Sequence, residues 1–276
     1  MPELPEVETI RRRLQDGYGG KPGLVGRQIQ RAELLWARTL AEPDPDEFHY
    51  RIQGQRILDF DRRAKYLSIR LSDDVLVLHL RMSGDLWVEA ATDEIAPHHR
   101  LVLYLEGDMR LAFNDPRKFG RAWLLADPAG LFTGLGPEPL SEDFEPQRFY
   151  HSLQQRRRRL KPLLLDQHFI AGLGNIYTDE ALHLAGLHPM TMANCLNYVQ
   201  AERLWQSIRR VLQEGIRRNG ASIDWVYRGG DFQNYFQVYQ RVDQPCYRCG
   251  TAIVRTVVGQ RGTHFCPQCQ PVEPGD

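Results

Sequence analysis

The first six residues, Met1-Pro2-Glu3-Leu4-Pro5-Glu6, place a proline nitrogen and two carboxylates at one end of the chain. Removal of Met1 turns Pro2 into a free secondary amine. An α-amino group has a pKa of about 7.7–8.0, so a useful fraction is unprotonated at neutral pH. Such an amine can attack the anomeric carbon of a sugar and collapse to an iminium ion, which is Schiff-base covalent catalysis. Glu3, next in the chain, is placed to supply or take a proton.

A second constellation lies near the other end. Four of the five cysteines fall in the pattern Cys246-x2-Cys249-x16-Cys266-x2-Cys269. Two CxxC knuckles at this separation are the spacing of a tetrathiolate zinc site, whose tetrahedral geometry needs four soft ligands brought from two tight turns. With all four positions filled, the ion has no open coordination site and its role is structural. The chain begins with no export signal, so disulfides are not expected. Cys195 is left over and reads as a small core residue.

Elements to carry these groups can be read from periodicity. Residues 5–14 form an amphipathic pattern, with Leu4, Val7, Ile10 and Leu14 on one face and Pro5 in the first turn. A Gly-rich loop, residues 17–26, ends it. Residues 27–35 read as a strand and Asp44-Pro45 opens a short helix. Between residues 56 and 125 short β-type runs follow one another: 56–60, 66–71, 75–80, 86–88, 101–105, 110–113 and 121–125. Turn signals such as Ser72-Asp73-Asp74 and Glu106-Gly107-Asp108 separate them. This regular spacing suggests an antiparallel β-sandwich.

After Gly134-Leu135-Gly136-Pro137-Glu138-Pro139-Leu140 the pattern turns helical. Residues 149–159 read as a basic helix ending in four arginines, whose run is a solvated helix face. Residues 162–165 and 176–184 read as short helices. Residues 197–218 form a long amphipathic one, with Leu204, Ile208, Val211, Leu212 and Gly215 inward. Residues 253–258 and 263–265 suit a hairpin between the knuckles. The fold class is therefore α+β and multidomain. It divides into a β-sandwich with flanking helices (1–134), a linker (135–140), a helical domain (141–240) and a four-cysteine finger (241–276).

Bulk properties bound the partners. The 276 residues carry 35 Lys+Arg and 35 Asp+Glu, so net charge does not advertise a nucleic-acid partner and only clustering could. No apolar run approaches the ~20 residues of a membrane span, which points to a cytoplasmic protein without a membrane partner.

Several segments suit a nucleic acid locally. Gly172-Leu173-Gly174-Asn175 precedes a helix whose free amides accept a phosphate, with Asn175 where a cap would sit; a plain αα-corner is the alternative. Met82 and the Arg117-Lys118-Phe119 loop offer cations beside wedge side chains able to enter a base stack. Arg62-Arg63-Ala64-Lys65-Tyr66 could bind phosphate or form a solvated edge. Arg261, at the tip of the hairpin between the knuckles, has the same two readings.

These segments occur in a fixed order, running from the N-terminal Met1 to Thr9 stretch through Arg63-Ala64-Lys65-Tyr66, His79-Leu80-Arg81-Met82-Ser83-Gly84 and Asp115-Pro116-Arg117-Lys118-Phe119-Gly120. Leu135 to Leu140, Gly172-Leu173-Gly174-Asn175-Ile176-Tyr177 and the cysteine finger complete it. From end to end the chain resembles the bacterial formamidopyrimidine-DNA glycosylase and endonuclease VIII family. The resemblance implies a bifunctional glycosylase and AP lyase of base-excision repair, removing oxidised purines such as 8-oxoguanine and formamidopyrimidines from duplex DNA. It implies Pro2 as nucleophile with β,δ-elimination, Glu3 as acid/base and Glu6 as a second carboxylate of the site. Lys65, His79, Asn175, Tyr239 and Arg261 map onto phosphate contacts, Lys65 within the catalytic site itself. Met82, Arg117 and Phe119 map onto residues that fill the gap left by an extruded nucleotide. One structural zinc, a helix–two-turn–helix DNA-binding core and a monomer acting in the cytoplasm at the nucleoid are also implied.

Two alternatives stay open: the same chemistry on oxidised pyrimidines, and a DNA-binding zinc protein without catalysis. Leu4 and the Arg117-Lys118-Phe119 loop favour the purine-directed branch. The 17–26 loop is longer than expected after the first helix. The segment 222–239, including Tyr227 and Arg228, is shorter than the loop that usually closes over an extruded 8-oxoguanine.

Overall fold

The structure, a computed structural model, describes residues 1–222 and 229–272. Tyr227 and Arg228, in the segment that departs from the family pattern, lie outside the described residues. The chain divides into two compact units, one of Met1–Thr133 with Ala221–Gly230, the other of Gly134–Gly220 with Asp231–Asp276.

The first unit begins with helix α1 (Leu4–Asp16). Glu3 and Glu6 close a reciprocal capping box and Pro5 sits in the first turn, where its missing N–H costs nothing. Leu4, Val7, Ile10 and Leu14 are buried, and Gly17, at φ 87°, ends the helix. There follow β1 (Ile29–Leu34), β2 (Leu40–Glu42) and α2 (Pro45–Ile52), the last capped by the Asp44 carboxylate, which accepts from the N–H groups of Asp46 and Glu47. Then come β3 (Ile57–Arg63), β4 (Tyr66–Leu71), β5 (Val75–His79) and β6 (Asp85–Ala90). β7 (His99–Leu105), β8 (Met109–Asn114), β9 (Arg121–Leu125) and the short α3 (Ala129–Phe132) complete the unit.

These strands form two sheets, in the orders β1-β7-β8-β6 and β2-β9-β5-β4-β3. One apolar core takes Leu101, Leu103, Leu111 and Phe113 from the first sheet and Phe60, Leu67, Ile69, Leu78 and Leu124 from the second. The sandwich is antiparallel except at β2, which runs parallel to β9. Three residues are too few for an alternating pattern, which is why periodicity does not reveal that strand.

The second unit holds α4 (Pro146–Gln154), α5 (Leu160–Leu164), α6 (Asn175–Ala185) and α7 (Tyr198–Arg217), then β10 (Val254–Val258) and β11 (Arg261–Phe265). Residues 134–140 are tied down within this unit, Gly136 N–H donating to Gln167 O at 2.8 Å and Ala171 N–H to Pro137 O at 3.1 Å. α7 opens on an Asn197–Gln200 capping box, and Leu204, Ile208, Leu212 and Gly215 form its buried stripe. A Cβ at Gly215 would lie 2.5 Å from Tyr177 Cε1. That ring is fully buried and stacked on Phe232 at 5.2 Å, so it has nowhere to go. Gly215→Ala is expected to cost about 1–3 kcal/mol by overpacking, read as a lower urea midpoint; an unchanged midpoint would mean that α6 and α7 can separate freely.

Two sequence expectations fail here. The helix expected to end in four arginines stops at Gln154, because Arg156 N–H closes onto Leu153 O and the chain then pairs with residues 191–193 through Ala193 N–H to Arg158 O and Leu160 N–H to Thr191 O. The arginine run is exposed, but on an extended segment, and Arg158 pairs with Asp166 at 2.6 Å. Cys195 is exposed rather than in the core. It ends a 3-10 turn whose inward residue is Ala193.

Candidate active site and metal centre

In the chain as written the Pro2 nitrogen belongs to the Met1–Pro2 peptide bond. Met1 is exposed, and Pro2, Glu3 and Glu6 are buried at the start of α1. Glu6 Oε2 accepts the Glu3 N–H at 2.8 Å, and Glu6 Oε1 accepts the Ala221 N–H at 2.8 Å. The Glu3 carboxylate in turn accepts the Glu6 N–H. Both carboxylates thus sit at a helix N-terminus, where the macrodipole favours negative charge. Glu6 fixes the backbone on either side, and Glu3 is presented directly beside residue 2.

The β3–β4 hairpin is anchored to the same helix. Arg62 Nε reaches Glu8 Oε2 at 3.3 Å, and Arg62 also donates to Ala64 O at 3.0 Å. Arg62 is therefore neither a phosphate ligand nor part of a solvated edge; it shapes the turn, where Ala64 takes φ 54°. Burial pushes the Glu8 carboxyl up, but hydrogen bonds and charge from Arg11, Arg12 and Arg62 outweigh that and hold it below its ordinary value. Lys65, on the same turn, is only 5% exposed.

β4–β5 pairing sets Tyr66 opposite His79, ring against ring at 4.6 Å. Arg81 N–H donates to His79 Nδ1 at 3.0 Å, so the neutral imidazole carries its proton on Nε2, as a donor. Burial first, then the Arg81 and Lys65 charges, push His79 down to about 3. Between that value and 6.5 the unfolded chain binds a proton that the folded chain refuses, so this group makes stability fall as pH drops through the window. His79→Gln should flatten the decline in unfolding free energy between pH 6.5 and 5, measured by urea titration at each pH. An unchanged slope would show that the imidazole is not held neutral.

The two wedge segments share one organiser that sequence reading missed. Asp115 accepts from Ser83 Oγ and, at 2.7 Å, from Gly120 N–H, while Ser83 Oγ accepts from Arg117 N–H at 3.2 Å. Met82 and the Arg117–Phe119 loop are thereby joined through a buried carboxylate. Phe119 is 50% exposed, with the Arg117 guanidinium 5.0 Å from its ring centre. An exposed aromatic on a stiff loop is the form a stacking wedge requires.

In the second unit the structure brings together residues far apart in sequence. Asn175 is the first residue of α6, not its cap; Gly174 occupies that position. Its Nδ2 donates to Gly262 O at 2.9 Å, fixing the β10–β11 turn that carries the exposed Arg261. Asp179 accepts from His264 N–H at 3.0 Å and pairs with the fully buried Lys161. Glu180 accepts three backbone N–H groups, from Gln237, Val238 and Tyr239, at 2.8–3.0 Å. Burial pushes its carboxyl up to about 7, against the pull of those three donors. Tyr239 is set edge-on to His264 at 4.9 Å. Asp179 and Glu180 had one visible signal, adjacent carboxylates in an otherwise apolar helical segment.

The four cysteine sulfurs all lie within 4.8 Å of one another, at 3.9 Å for Cys246–Cys269 and 3.5 Å for both Cys249–Cys266 and Cys249–Cys269. Tetrahedral Zn–S bonds of ~2.3 Å place sulfurs about 3.8 Å apart, so the donor set fits. Arg248 N–H and Cys269 N–H donate to Cys246 Sγ and Cys266 Sγ, each at 3.4 Å, as thiolates require.

Comparison with known proteins bears on each part of this geometry. Residues 1–122 match the formamidopyrimidine-DNA glycosylase N-terminal domain, 135–226 its H2TH domain, and 243–272 the zinc finger found in FPG and IleRS. With the sulfur cluster, this makes the four cysteines the ligands of one structural zinc. A formamidopyrimidine-DNA glycosylase of Symbiobacterium thermophilum is 45% identical, spanning 100% of this chain and 91% of its own length. One of Chloroflexus aurantiacus is 48% identical over 98% of each. The Lactococcus lactis FPG (MutM) in complex with FAPY-dG-containing DNA superposes with a TM-score of 0.90 at 37% identity, over 98% of this chain and 100% of that one. The chain belongs to the formamidopyrimidine-DNA glycosylase family.

Proposed function

We propose that this protein is a bifunctional DNA glycosylase and AP lyase of base-excision repair. It removes oxidised purines, 8-oxoguanine and formamidopyrimidines, from duplex DNA. The observation that carries the reading is the buried start of α1, where Pro2 is followed by a carboxylate pair locked in a reciprocal capping box.

Once Met1 is removed, the Pro2 amine forms a bond to the anomeric carbon of an extruded nucleotide as the bond to the base breaks. Glu3 transfers the proton that opens the sugar ring, and Glu6 holds the backbone on which both depend. The iminium then undergoes β- and δ-elimination and leaves a one-nucleotide gap. Extrusion costs a few kcal/mol of stacking, which Met82, Arg117 and Phe119 offset by filling the vacated space. Lys65 and His79 in the first unit and Asn175, Tyr239 and Arg261 in the second are assigned to the phosphates around the lesion. Lys65 sits closest to the chemistry in this assignment. The zinc gives the hairpin rigidity and takes no part in bond making.

The substrate is damaged double-stranded DNA, and the protein acts as a monomer in the cytoplasm at the nucleoid. Among the described residues no helix is long and apolar enough to cross a membrane. Excision assays on duplexes with 8-oxoguanine opposite cytosine and with thymine glycol test the lesion class. Faster release of the oxidised purine supports the proposal, and preferential release of thymine glycol would move the protein to the pyrimidine-directed branch.

A further inference from the structure

His183 is one of the buried imidazoles that the mechanism leaves unused. It lies in the last turn of α6, 0% exposed, with Nε2 3.6 Å from Cys246 Sγ. Its Nδ1 has no hydrogen-bond partner among the described residues. Burying an unpaired polar nitrogen is unfavourable, so the sulfur contact is the polar compensation left to this ring. A metal-bound thiolate has no proton and can only accept. The bond therefore has one direction, Nε2–H to Sγ, and Nδ1 is the bare nitrogen.

Direct ligation of the ion by His183 is a different arrangement. It requires Nε2 to lie within reach of every other donor, whereas the metal-capable cluster among the described residues consists of the four sulfurs alone. His183 is placed against one sulfur and stands outside the four-donor set.

The surroundings give this contact a purpose. Arg248, inside the first knuckle, donates to His183 O and Leu184 O, both at 3.2 Å, and so caps the carbonyl end of α6. Gln270, just after the second knuckle, accepts from Cys266 N–H at 3.0 Å and donates to Leu187 O at 2.8 Å. Both knuckles are thus docked on the last turn of α6 and the residues after it. Among the described residues, the His183 contact is the one in that dock that runs from a side chain of the helix to a cysteine sulfur.

We propose that His183 is a positioning residue for the zinc, donating its Nε2–H to the Cys246 thiolate. It holds that ligand in place and ties the metal to the helix that begins at Asn175. The inference rests on the zinc assignment. Outer hydrogen-bond partners of metal ligands commonly change metal affinity by 10- to 100-fold, which sets the size of the effect.

The test uses the full-length protein, with zinc affinity measured by competition against a chromophoric chelator. His183→Phe fills the space without a donor and should weaken zinc binding about tenfold or more. His183→Gln keeps an N–H donor and should recover most of that loss, which a role in filling space would not produce. With Co2+ in place of zinc, the sulfur-to-cobalt charge-transfer band should move to lower energy in His183→Phe. The hydrogen bond it lacks stabilises the sulfur lone pairs. Nitrogen NMR of the unaltered protein reads the tautomer without any substitution. A proton on Nε2 supports the proposal, and a proton on Nδ1 overturns it even if His183→Phe fails to fold. Equal affinities and band positions in the unaltered protein and His183→Phe would also overturn it. Less than one zinc per chain in the unaltered protein would instead remove the zinc assignment itself.

Discussion

Glu3→Gln is expected to slow release of 8-oxoguanine from duplex DNA by about 10²–10⁴-fold, the usual worth of a positioned general acid, with DNA affinity little changed. Glutamine keeps the size of the side chain and can still accept the Glu6 N–H that closes the capping box, so α1 should start where it does now. What it loses is the ability to transfer a proton beside Pro2. Single-turnover excision at saturating enzyme isolates this step from binding. A variant within a few-fold of the original rate would place the proton transfer elsewhere.

The second large effect is expected from removal of the metal. The finger has a satellite core of Val238, Cys246, Ile253 and Cys266, too small to persist alone. Losing the four Zn–S bonds should release the β10–β11 turn, and with it the Asn175–Gly262 and Asp179–His264 bonds. Each charged phosphate contact that depends on the hairpin is worth about 1.5–3 kcal/mol. On the proposed assignment of Arg261 to a phosphate, loss of that contact alone is expected to weaken DNA binding roughly 10- to 100-fold. Titration of a fluorescent lesion duplex before and after chelation measures it, and readdition of zinc should restore the affinity. Metal-free protein that binds with unchanged affinity would contradict the structural role.

Both predictions draw on features legible in the sequence, and the reason is local. α1 announces itself through a proline in its first turn and apolar residues three and four apart, and the zinc site through spacing within short turns. β4 and β9 fall on the residues that alternation marks out, Tyr66–Leu71 and Arg121–Leu125. What the sequence concealed depends on partners distant along the chain. Arg62 looked like one charge in a basic cluster until Glu8 engaged it from 54 residues away. Asn175 looked like a cap, yet its amide is drawn to Gly262, 87 residues on. The roles of Asp115, Asp179 and Glu180 were not legible either, although Asp115 opens one of the recognised segments, because a buried carboxylate is defined by the donors folded around it. The exposed Cys195 shows the converse, since residue type alone does not say which side of a 3-10 turn faces inward.

The central claim is that Pro2 is the nucleophile. Its most direct test is borohydride reduction during incubation with 8-oxoguanine duplex, followed by peptide mapping of the adduct. The account predicts a covalent protein–DNA species, attached at Pro2 in protein whose mature N-terminus has lost Met1 and absent from protein carrying an N-terminal extension. A correctly processed protein that forms no adduct, or an adduct mapped to a lysine such as Lys65, would contradict it.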